Sequence, residues 1–350
     1  MIAAGGTGGH VFPALALGIE LRDRGTDVVW VGRREGLEYE VASTHRFPFE
    51  PFAATGFYGK GIGTKVRALG QLAVGFWRAF GLLDRVKPDG VVATGGFATA
   101  AVLGATRFGR TPMFLLEQNC IPGRVTRHFA PAALRSFLTF PTEKPFPGPS
   151  EIAGCPLRRD IVGWQADGTA GAGPQADVEG NTVLVLGGSL GARALNKAAV
   201  EAAAALPQYH FVILSGRRDY ADIKERAASP NCEVVEFTLH PEELYRRAAI
   251  AVSRSGGVVL SELLAFGVPA ILVPYPFAID KHQDANARYL ASVGAAFVLG
   301  EERLAELPSA VEGLMADEQR RRLMAHAARL VARPNAAAAI AERIIECLAD

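Results

Sequence analysis

The sequence predicts an α/β protein of two domains, each built on a parallel β-sheet. Short apolar runs alternate with helical periodicity along most of the chain, which is typical of βαβ units. A strand that ends in a glycine pair and a hydroxyl residue occurs twice, at 2–9 and at 185–192, so the two halves are expected to be similar. With 350 residues, of which 49% are hydrophobic, the chain is long enough for two cores.

The apolar run at the start of the chain and eight later ones are predicted to be strands, with helices between them. The later runs cover 27–32, 90–94, 112–118, 182–187, 210–216, 232–237, 250–256 and 269–274. The apolar stretch 256–278 is interpreted as helix, turn and strand, because Glu262 and three prolines interrupt it. No membrane-spanning segment is therefore expected.

One stretch of small and polar residues divides the chain. It covers 162–180 and is predicted to be a mobile loop or linker. Residues 1–161 are expected to form the N-terminal domain and 181–334 the C-terminal domain. A helix-forming segment over 335–350 is expected to return to the N-terminal domain.

Composition excludes several classes of protein. The 37 basic and 36 acidic side chains leave a net charge of +1, so no global field attracts nucleic acid. The four cysteines lack the spacing of a metal site or a disulfide framework, which favours a reducing compartment and makes zinc unexpected. No export or lipid-attachment pattern precedes the first strand, so we expect a cytoplasmic protein.

Glycine pairs accompany four predicted strands, within 5–9, 94–100, 187–192 and 253–262. A strand that runs through glycine-rich backbone into a helix presents free N–H groups and the helix dipole to a phosphate. The dinucleotide fingerprint fails in the first loop, because Val11 stands in place of the third glycine. A cleft between the domains is the expected ligand site, and tight turns without a ligand are the alternative.

Six motifs in a fixed order are more specific than any one loop. They are GGTGGHVFPALA, LLEQN, GCPLRRD, GGSLGARALN, SRSGGVVLSELLAFGVPAILVPYP and DKHQDANA. Over nearly the whole chain they closely resemble the MurG family. The resemblance implies a GT-B fold: two Rossmann-like parallel-sheet domains facing across a cleft, with the C-terminal helix returning to the N-terminal domain.

The resemblance also implies an activity, that of an inverting hexosyltransferase of peptidoglycan synthesis. Such an enzyme moves N-acetylglucosamine from UDP-N-acetylglucosamine to the C4 hydroxyl of lipid I, the undecaprenyl-diphosphate-linked muramyl pentapeptide, and so makes lipid II. No cofactor is implied. The chain has no Asp-x-Asp motif to hold a divalent metal, which leaves a metal open but without a predicted site. Further cell-wall enzymes are left open as partners.

By the same resemblance the donor site lies mainly in the second half. Ser189 would bond the diphosphate, Arg158 would lie along the nucleotide and Glu262 would accept the ribose hydroxyls. Main chain at Thr238 would contact the uracil, while Gln283 and Asn119 would bind sugar hydroxyls. The other donor-side residues are Thr7, Gly8, Gly9, Gly257, Val258, Val259, Leu260 and Ser261.

The first half is expected to hold the acceptor, through Gly5, Gly6, Gly95, Gly96 and Glu117. His10 lies in the first turn of a predicted helix, where the neutral imidazole is favoured. It is expected to be the general base that takes the proton of the C4 hydroxyl; a purely structural histidine is the alternative. Leu116, Phe97 and Cys155 depart from the family pattern, mostly on the presumed acceptor side.

An amphipathic helix is predicted over 63–87. Its apolar stripe, expected in the core, consists of Val66, Leu69, Leu72, Ala73, Phe76, Phe80 and Leu83. Beyond one edge of it lie Val74 and Trp77, beside a column of Arg67, Arg78 and Arg85. Val74, Phe76, Trp77, Arg67 and Arg78 are expected to dock on an anionic membrane, at the cytoplasmic face of the inner membrane, and a solvated face is the alternative.

Two further classes remain open. One is another GT-B enzyme that uses a UDP-sugar, including the UDP-N-acetylglucosamine 2-epimerase type, against which the first and last motifs argue. The other is a non-catalytic nucleotide-sugar-binding scaffold of the cell-wall machinery. The presence of His10, Glu262 and Gln283 argues against that scaffold.

Overall fold

A computed structural model describes residues 1–52, 62–96, 99–162, 179–188, 192–238 and 240–349, and for 62–73 only the backbone. Nearly all of the linker expected over 162–180 lies outside the described residues. The chain divides into two compact units. Unit 1 consists of Met1–Arg158 and Asn335–Asp350, and unit 2 is Arg159–Pro334.

The described part of unit 1 is built on a seven-stranded parallel sheet. Its strands are β1 (Ile2–Ala3), β2 (Trp30–Gly32), β3 (Phe49–Pro51), β4 (Val91–Ala93), β5 (Met113–Glu117), β6 (Arg135–Leu138) and β7 (Ser150–Ile152). Their order in the sheet is β3-β2-β1-β4-β5-β6-β7. The connecting helices are α1 (Gly8–Asp23), α2 (Leu37–Thr44), α3 (Ile62–Val86), α4 (Ala100–Gly109) and α5 (Arg124–Phe129).

Unit 2 is built on a second parallel sheet, in which six strands are described. They are β8 (Thr182–Leu186), β9 (His210–Leu214), β10 (Cys232–Val235), β11 (Ile250–Ser253), β12 (Ala270–Leu272) and β13 (Ala296–Val298), in the order β10-β9-β8-β11-β12-β13. The helices are α6 (Arg159–Val162), α7 (Arg193–Ala205), α8 (Tyr220–Arg226), α9 (Pro241–Arg247), α10 (Gly257–Phe266), α11 (His282–Ser292), α12 (Leu307–Ala316) and α13 (Glu318–Val331).

The last helix, α14 (Ala336–Ala349), belongs to unit 1 although it follows unit 2 in the sequence. It packs against α1 and buries Ile340 and Ile344 in the same apolar cluster as Leu17 and Leu21. The prediction of two parallel-sheet α/β domains is therefore confirmed, and so is the return of the C-terminal helix to the first of them.

Both sheets have a switch point, a place where consecutive parts of the chain leave a central strand in opposite directions. In unit 1 it lies between β1 and β4, and in unit 2 between β8 and β11. The paired strands end level, since Ala3 lies opposite Ala93 and Leu186 opposite Ser253. Open parallel sheets bind ligands at such points, beyond the carboxyl ends of the strands. The predicted glycine loops follow these four strand ends.

Candidate functional site

At the switch point of unit 1 two glycine loops lie against each other. Gly6, Gly95 and Gly96 have φ values of 101°, 80° and 82°, which favour glycine. A Cβ atom added at Gly96 would lie 3.5 Å from the carbonyl oxygen of Gly5. The main chain is accessible at Gly6, which is exposed, and at Gly96, which is partly exposed, whereas Gly5 and Gly95 are buried. Phe97, which follows in the second loop, is outside the described residues.

His10 lies in the first turn of α1, which begins after the N-cap Thr7. Its half-buried ring lies beside the second glycine loop. A Cβ atom at Gly96 would be 3.6 Å from His10 Nε2, and one at Gly95 would be 3.8 Å from Cε1. The structure therefore brings together the expected general base and the backbone expected to hold the acceptor.

Glu117 ends β5 and organises the turn that follows. Its buried carboxylate accepts hydrogen bonds from Asn119 N at 3.0 Å, Asn119 Nδ2 at 3.1 Å and Gly123 N at 2.9 Å. Burial raises the pKa of Glu117, although these hydrogen bonds act in the opposite direction. The Glu117 carboxylate thus holds the turn and fixes the side-chain amide of Asn119, which is expected to bind a sugar hydroxyl.

This burial predicts a pH-dependent stability. A carboxyl whose pKa is raised in the fold costs stability when it is charged, so the free energy of unfolding should fall as pH rises above the unfolded value of 4.5. Glu117→Gln removes the titrating group and should remove that contribution. Urea unfolding at several pH values between 4.5 and 8 measures the difference. Identical pH dependence in the two proteins would contradict this role of burial.

Two of the departures from the family pattern are buried residues of unit 1. Leu116 is buried in β5 within the core of unit 1, and Cys155 is also buried. Their side chains therefore face the protein interior. Both residues belong to unit 1, the half expected to hold the acceptor, and their effect on acceptor contacts stays a prediction.

The switch point of unit 2 also consists of glycine-rich backbone. Gly188 follows β8 with a φ of 83°, and α10 begins at Gly257 shortly after β11. Arg254 N donates to the carbonyl oxygen of Leu186 at 3.2 Å, which joins the ends of β8 and β11. Ser189, the residue expected to bond the diphosphate, lies outside the described residues.

Gln283 lies in the first turn of α11. Main-chain N–H groups from the segments before and after β12 hold its side chain. Its Oε1 accepts hydrogen bonds from Tyr275 N at 2.9 Å and Ser255 N at 3.3 Å. These donors fix the amide orientation, so the Nε2 group is the one presented to a ligand. Asn286 Nδ2 donates to the carbonyl oxygen of Ser255 at 2.9 Å and ties α11 to the same loop.

Arg254, which the sequence did not single out, supports this loop from within. Its buried guanidinium donates to the carbonyl oxygens of Val273 and Pro274 at 3.1 and 3.2 Å and forms an ion pair with Glu301. The segment that offers its N–H group to Gln283 is thereby anchored to the core of unit 2.

Glu262 projects from α10 towards α9. Its Oε2 accepts a hydrogen bond of 2.6 Å from the hydroxyl of Tyr245, a buried residue of α9. Tyr245 thus orients the carboxylate, and no motif had indicated it. Two neighbouring donor-side residues are engaged within the helix. The side chain of Leu260 is fully buried and its N–H donates to the Gly256 carbonyl oxygen at 3.0 Å, while the Ser261 hydroxyl donates to the Gly257 carbonyl oxygen at 2.8 Å.

Two other donor-side residues make contacts within their own unit. The guanidinium of Arg158 stacks over the ring of Phe12, 5.4 Å from its centroid, and Arg158 is the last residue before the chain enters unit 2. The hydroxyl of Thr238 accepts a hydrogen bond of 2.9 Å from His240 N. Its side chain is therefore turned back on the chain, and recognition of the uracil by the main chain here stays a prediction.

The surface of α3 carries exposed apolar groups. Val74 and Trp77 are 53% and 71% exposed, and Phe108 of α4, which the sequence analysis did not select, is 72% exposed. Phe76 is half-buried, with its ring 5.9 Å from that of Trp77 and 5.5 Å from that of Phe108. Arg85 is paired with Glu50 at 2.5 Å, and the Arg67 side chain is not described. No helix in the described ranges is long and apolar enough to cross a membrane.

Both halves of the chain match models of one enzyme class. Residues 1–138 match the glycosyltransferase family 28 N-terminal domain, and residues 182–344 match the glycosyltransferase family 28 C-terminal domain.

Relatives of known name narrow this class. The UDP-N-acetylglucosamine--N-acetylmuramyl-(pentapeptide) pyrophosphoryl-undecaprenol N-acetylglucosamine transferase of Methylococcus capsulatus is 39% identical over 99% of this chain and 98% of its own length. The protein of the same name from Nitrosococcus oceani is also 39% identical with the same coverage. The crystal structure of MurG from Acinetobacter baumannii has a TM-score of 0.79 at 28% identity, covering 99% of this chain and 98% of that one. The chain belongs to the MurG family of glycosyltransferases, and its fold is GT-B.

A second solved structure shows the same fold in a different enzyme. The UDP-GlcNAc 2-epimerase from Neisseria meningitidis, bound to UDP-GlcNAc, has a TM-score of 0.68 at 14% identity. At that identity the likeness concerns the fold alone.

Proposed function

We propose that this chain transfers N-acetylglucosamine from UDP-N-acetylglucosamine to the C4 hydroxyl of the muramyl sugar of lipid I, which gives lipid II. The observation that carries the proposal is full-length similarity. Eight relatives named for this transfer are 34–39% identical over 98–100% of the chain. The glycine-rich switch points of the two units supply a donor half-site and an acceptor half-site consistent with it.

In the donor half-site, unit 2 binds the nucleotide sugar. Glu262, oriented by Tyr245, accepts hydrogen bonds from the ribose hydroxyls. The Nε2 group of Gln283 donates to a sugar hydroxyl, because its Oε1 is engaged by main chain. The N-terminus of α10 offers N–H groups to the diphosphate, to which Ser189, outside the described residues, is also proposed to bond. Arg158 lies along the nucleotide, and the main chain at Thr238 contacts the uracil.

In the acceptor half-site, unit 1 binds the lipid-linked sugar. The bare backbone at Gly5, Gly6, Gly95 and Gly96 receives the diphosphate. The C4 oxygen attacks the anomeric carbon of the donor sugar as the bond to UDP breaks, and the hydroxyl proton passes to the His10 imidazole. Attack from the face opposite UDP inverts the anomeric configuration.

The direct test is turnover by the purified chain. With UDP-N-acetylglucosamine and a short-chain lipid I analogue, we expect UDP release at the same rate as formation of the disaccharide product. Release of UDP together with a 2-epimerised free sugar would identify an epimerase instead. Binding of UDP-N-acetylglucosamine without turnover would identify a scaffold.

We also propose that the chain works on the membrane surface through an apolar patch made of Val74, Trp77 and Phe108, with Arg78 beside it. Aromatic and aliphatic groups next to a cation suit the interface of an anionic bilayer. The polyprenyl chain of the acceptor stays in the bilayer, so docking of the enzyme would bring its site to the substrate. The exposure of the three apolar side chains supports this assignment.

Vesicle sedimentation tests the patch. Replacing both Trp77 and Phe108 by serine should weaken binding to vesicles that contain anionic lipid by roughly tenfold or more, because each buried aromatic contributes about 1.5–3 kcal/mol. Leu330→Ser is the matched control, since Leu330 is equally exposed, at 72%, but lies on α13 of unit 2. Unchanged vesicle binding by the double variant, or equal loss in the control, would refute the patch.

A further inference from the structure

Three possible metal ligands lie together in unit 2. Asp160 belongs to α6, His240 immediately precedes α9 and Glu242 lies in the first turn of α9. One ligand atom from each residue lies within 4.8 Å of the others. His240 Nδ1 and Glu242 Oε1 are 3.1 Å apart. Residues distant in sequence thus converge because α6 packs against α9.

Glu242 provides a second and independent observation. It is only 7% exposed, and its Oε2 atom is buried without a hydrogen-bond partner among the described residues. A buried carboxylate oxygen without a partner costs free energy, and native proteins usually satisfy it with a donor, a water or a cation. A cation bound between Glu242, His240 and Asp160 would remove this cost. Asp160 and His240 are exposed, so an ion can reach the cluster from solvent.

We infer that Asp160, His240 and Glu242 bind a divalent cation of the zinc class. An imidazole nitrogen with two carboxylates is a donor set suited to Zn²⁺ or Co²⁺, whereas Mg²⁺ and Ca²⁺ prefer oxygen ligands alone. The 3.1 Å between Nδ1 and Oε1 fits two ligands that are each about 2.0–2.1 Å from one ion. Three protein ligands leave further positions for water.

The bound ion would fix the start of α9 against α6. The same His240 donates its backbone N–H to the Thr238 hydroxyl, so the ion would also order the segment whose main chain is proposed to contact the uracil. That last consequence rests on the proposed function, but binding of the ion does not. Uptake of metal can therefore be measured without either substrate.

The test is Zn²⁺ binding by metal-free protein, followed by calorimetry. We expect one Zn²⁺ per chain with a Kd below about 100 µM and a rise of at least about 2 °C in Tm with ZnCl₂ but not with MgCl₂. His240→Ala and Asp160→Ala should each weaken binding roughly tenfold or more. Both residues are exposed, so the variants should keep the fold, which circular dichroism checks.

Two control variants exclude other sites. His210 and Glu233 form another histidine–glutamate pair in unit 2, at 3.4 Å, so His210→Ala should bind Zn²⁺ as the unmodified chain does. Burial raises the pKa of the Cys232 thiol to about 11, so it stays protonated at neutral pH and Cys232→Ser should also bind normally. The Co²⁺ form should lack a thiolate charge-transfer band. No Zn²⁺ uptake, unchanged uptake in either ligand variant, or loss in either control would overturn the site.

Discussion

Replacing His10 by alanine is expected to lower kcat by roughly 10²- to 10⁴-fold, the usual contribution of a positioned general base. The imidazole lies beside the bare backbone of Gly95 and Gly96, where the acceptor diphosphate is proposed to bind. Without the imidazole, the C4 hydroxyl has no group to take its proton during attack on the donor sugar. Binding of the acceptor analogue and of UDP should change little, since neither is proposed to depend on the ring. Steady-state kinetics with the lipid I analogue measures the effect.

The pH–rate profile separates a base from a structural histidine. Loss of the base should flatten the acidic limb of the profile, whereas a merely structural loss would lower the rate equally at all pH values. His326→Ala is a suitable control because His326 is exposed on α13 of unit 2. If His10→Ala keeps the original kcat, the base lies elsewhere and His10 only begins a helix.

The second large effect is expected at Glu262. Its replacement by alanine should weaken UDP binding ten- to a hundredfold, or about 1.5–3 kcal/mol, because the ribose hydroxyls lose a charged acceptor. Tyr245→Phe should have a smaller effect of the same kind, since it removes only the hydroxyl that orients the carboxylate. Titration calorimetry with UDP measures both.

An analogue of UDP that lacks both ribose hydroxyls makes this test specific. The original chain and Glu262→Ala should bind that analogue with nearly equal affinity, as a double-mutant cycle requires of two groups that act on each other. Glu243→Ala is the control, because Glu243 is exposed on α9. Unchanged UDP affinity in a folded Glu262→Ala variant would remove the assignment.

The sequence predicted most of the inner strands and one edge strand, β10, but it missed β3, β6, β7 and β13. β1, β4, β8 and β11 are apolar runs followed by glycine, so burial and the turn after it are both visible in the sequence. β3 and β7 are three-residue edge strands that contain a glutamate and lack a continuous apolar run. β6 begins with Arg135 and Ser136, which leaves only two apolar residues, and β13 is apolar but only three residues long and partly exposed. Pairing with a neighbouring strand defines them, and a sequence does not show that pairing.

The residues of the candidate sites divide in the same way, into those that a motif shows and those that only packing brings together. Family motifs selected Glu262 and Gln283, and the structure shows that both are held by other groups of their unit. Tyr245 and Arg254 were missed because their role depends on which helix or loop packs beside them. Phe108 was missed because it lies on α4, outside the amphipathic helix predicted over 63–87. Asp160 and His240 became neighbours only through the packing of α6 on α9.

The position of α14 has a consequence for how the protein is made. A ribosome synthesises all of unit 2 before it reaches α14, yet unit 1 buries Ile340 and Ile344 of that helix in its core. Unit 2 is one continuous segment and can finish folding during translation. The apolar face of α1 that α14 covers stays exposed during that time. Nascent chains that end before Ala336 should therefore bind chaperones through unit 1.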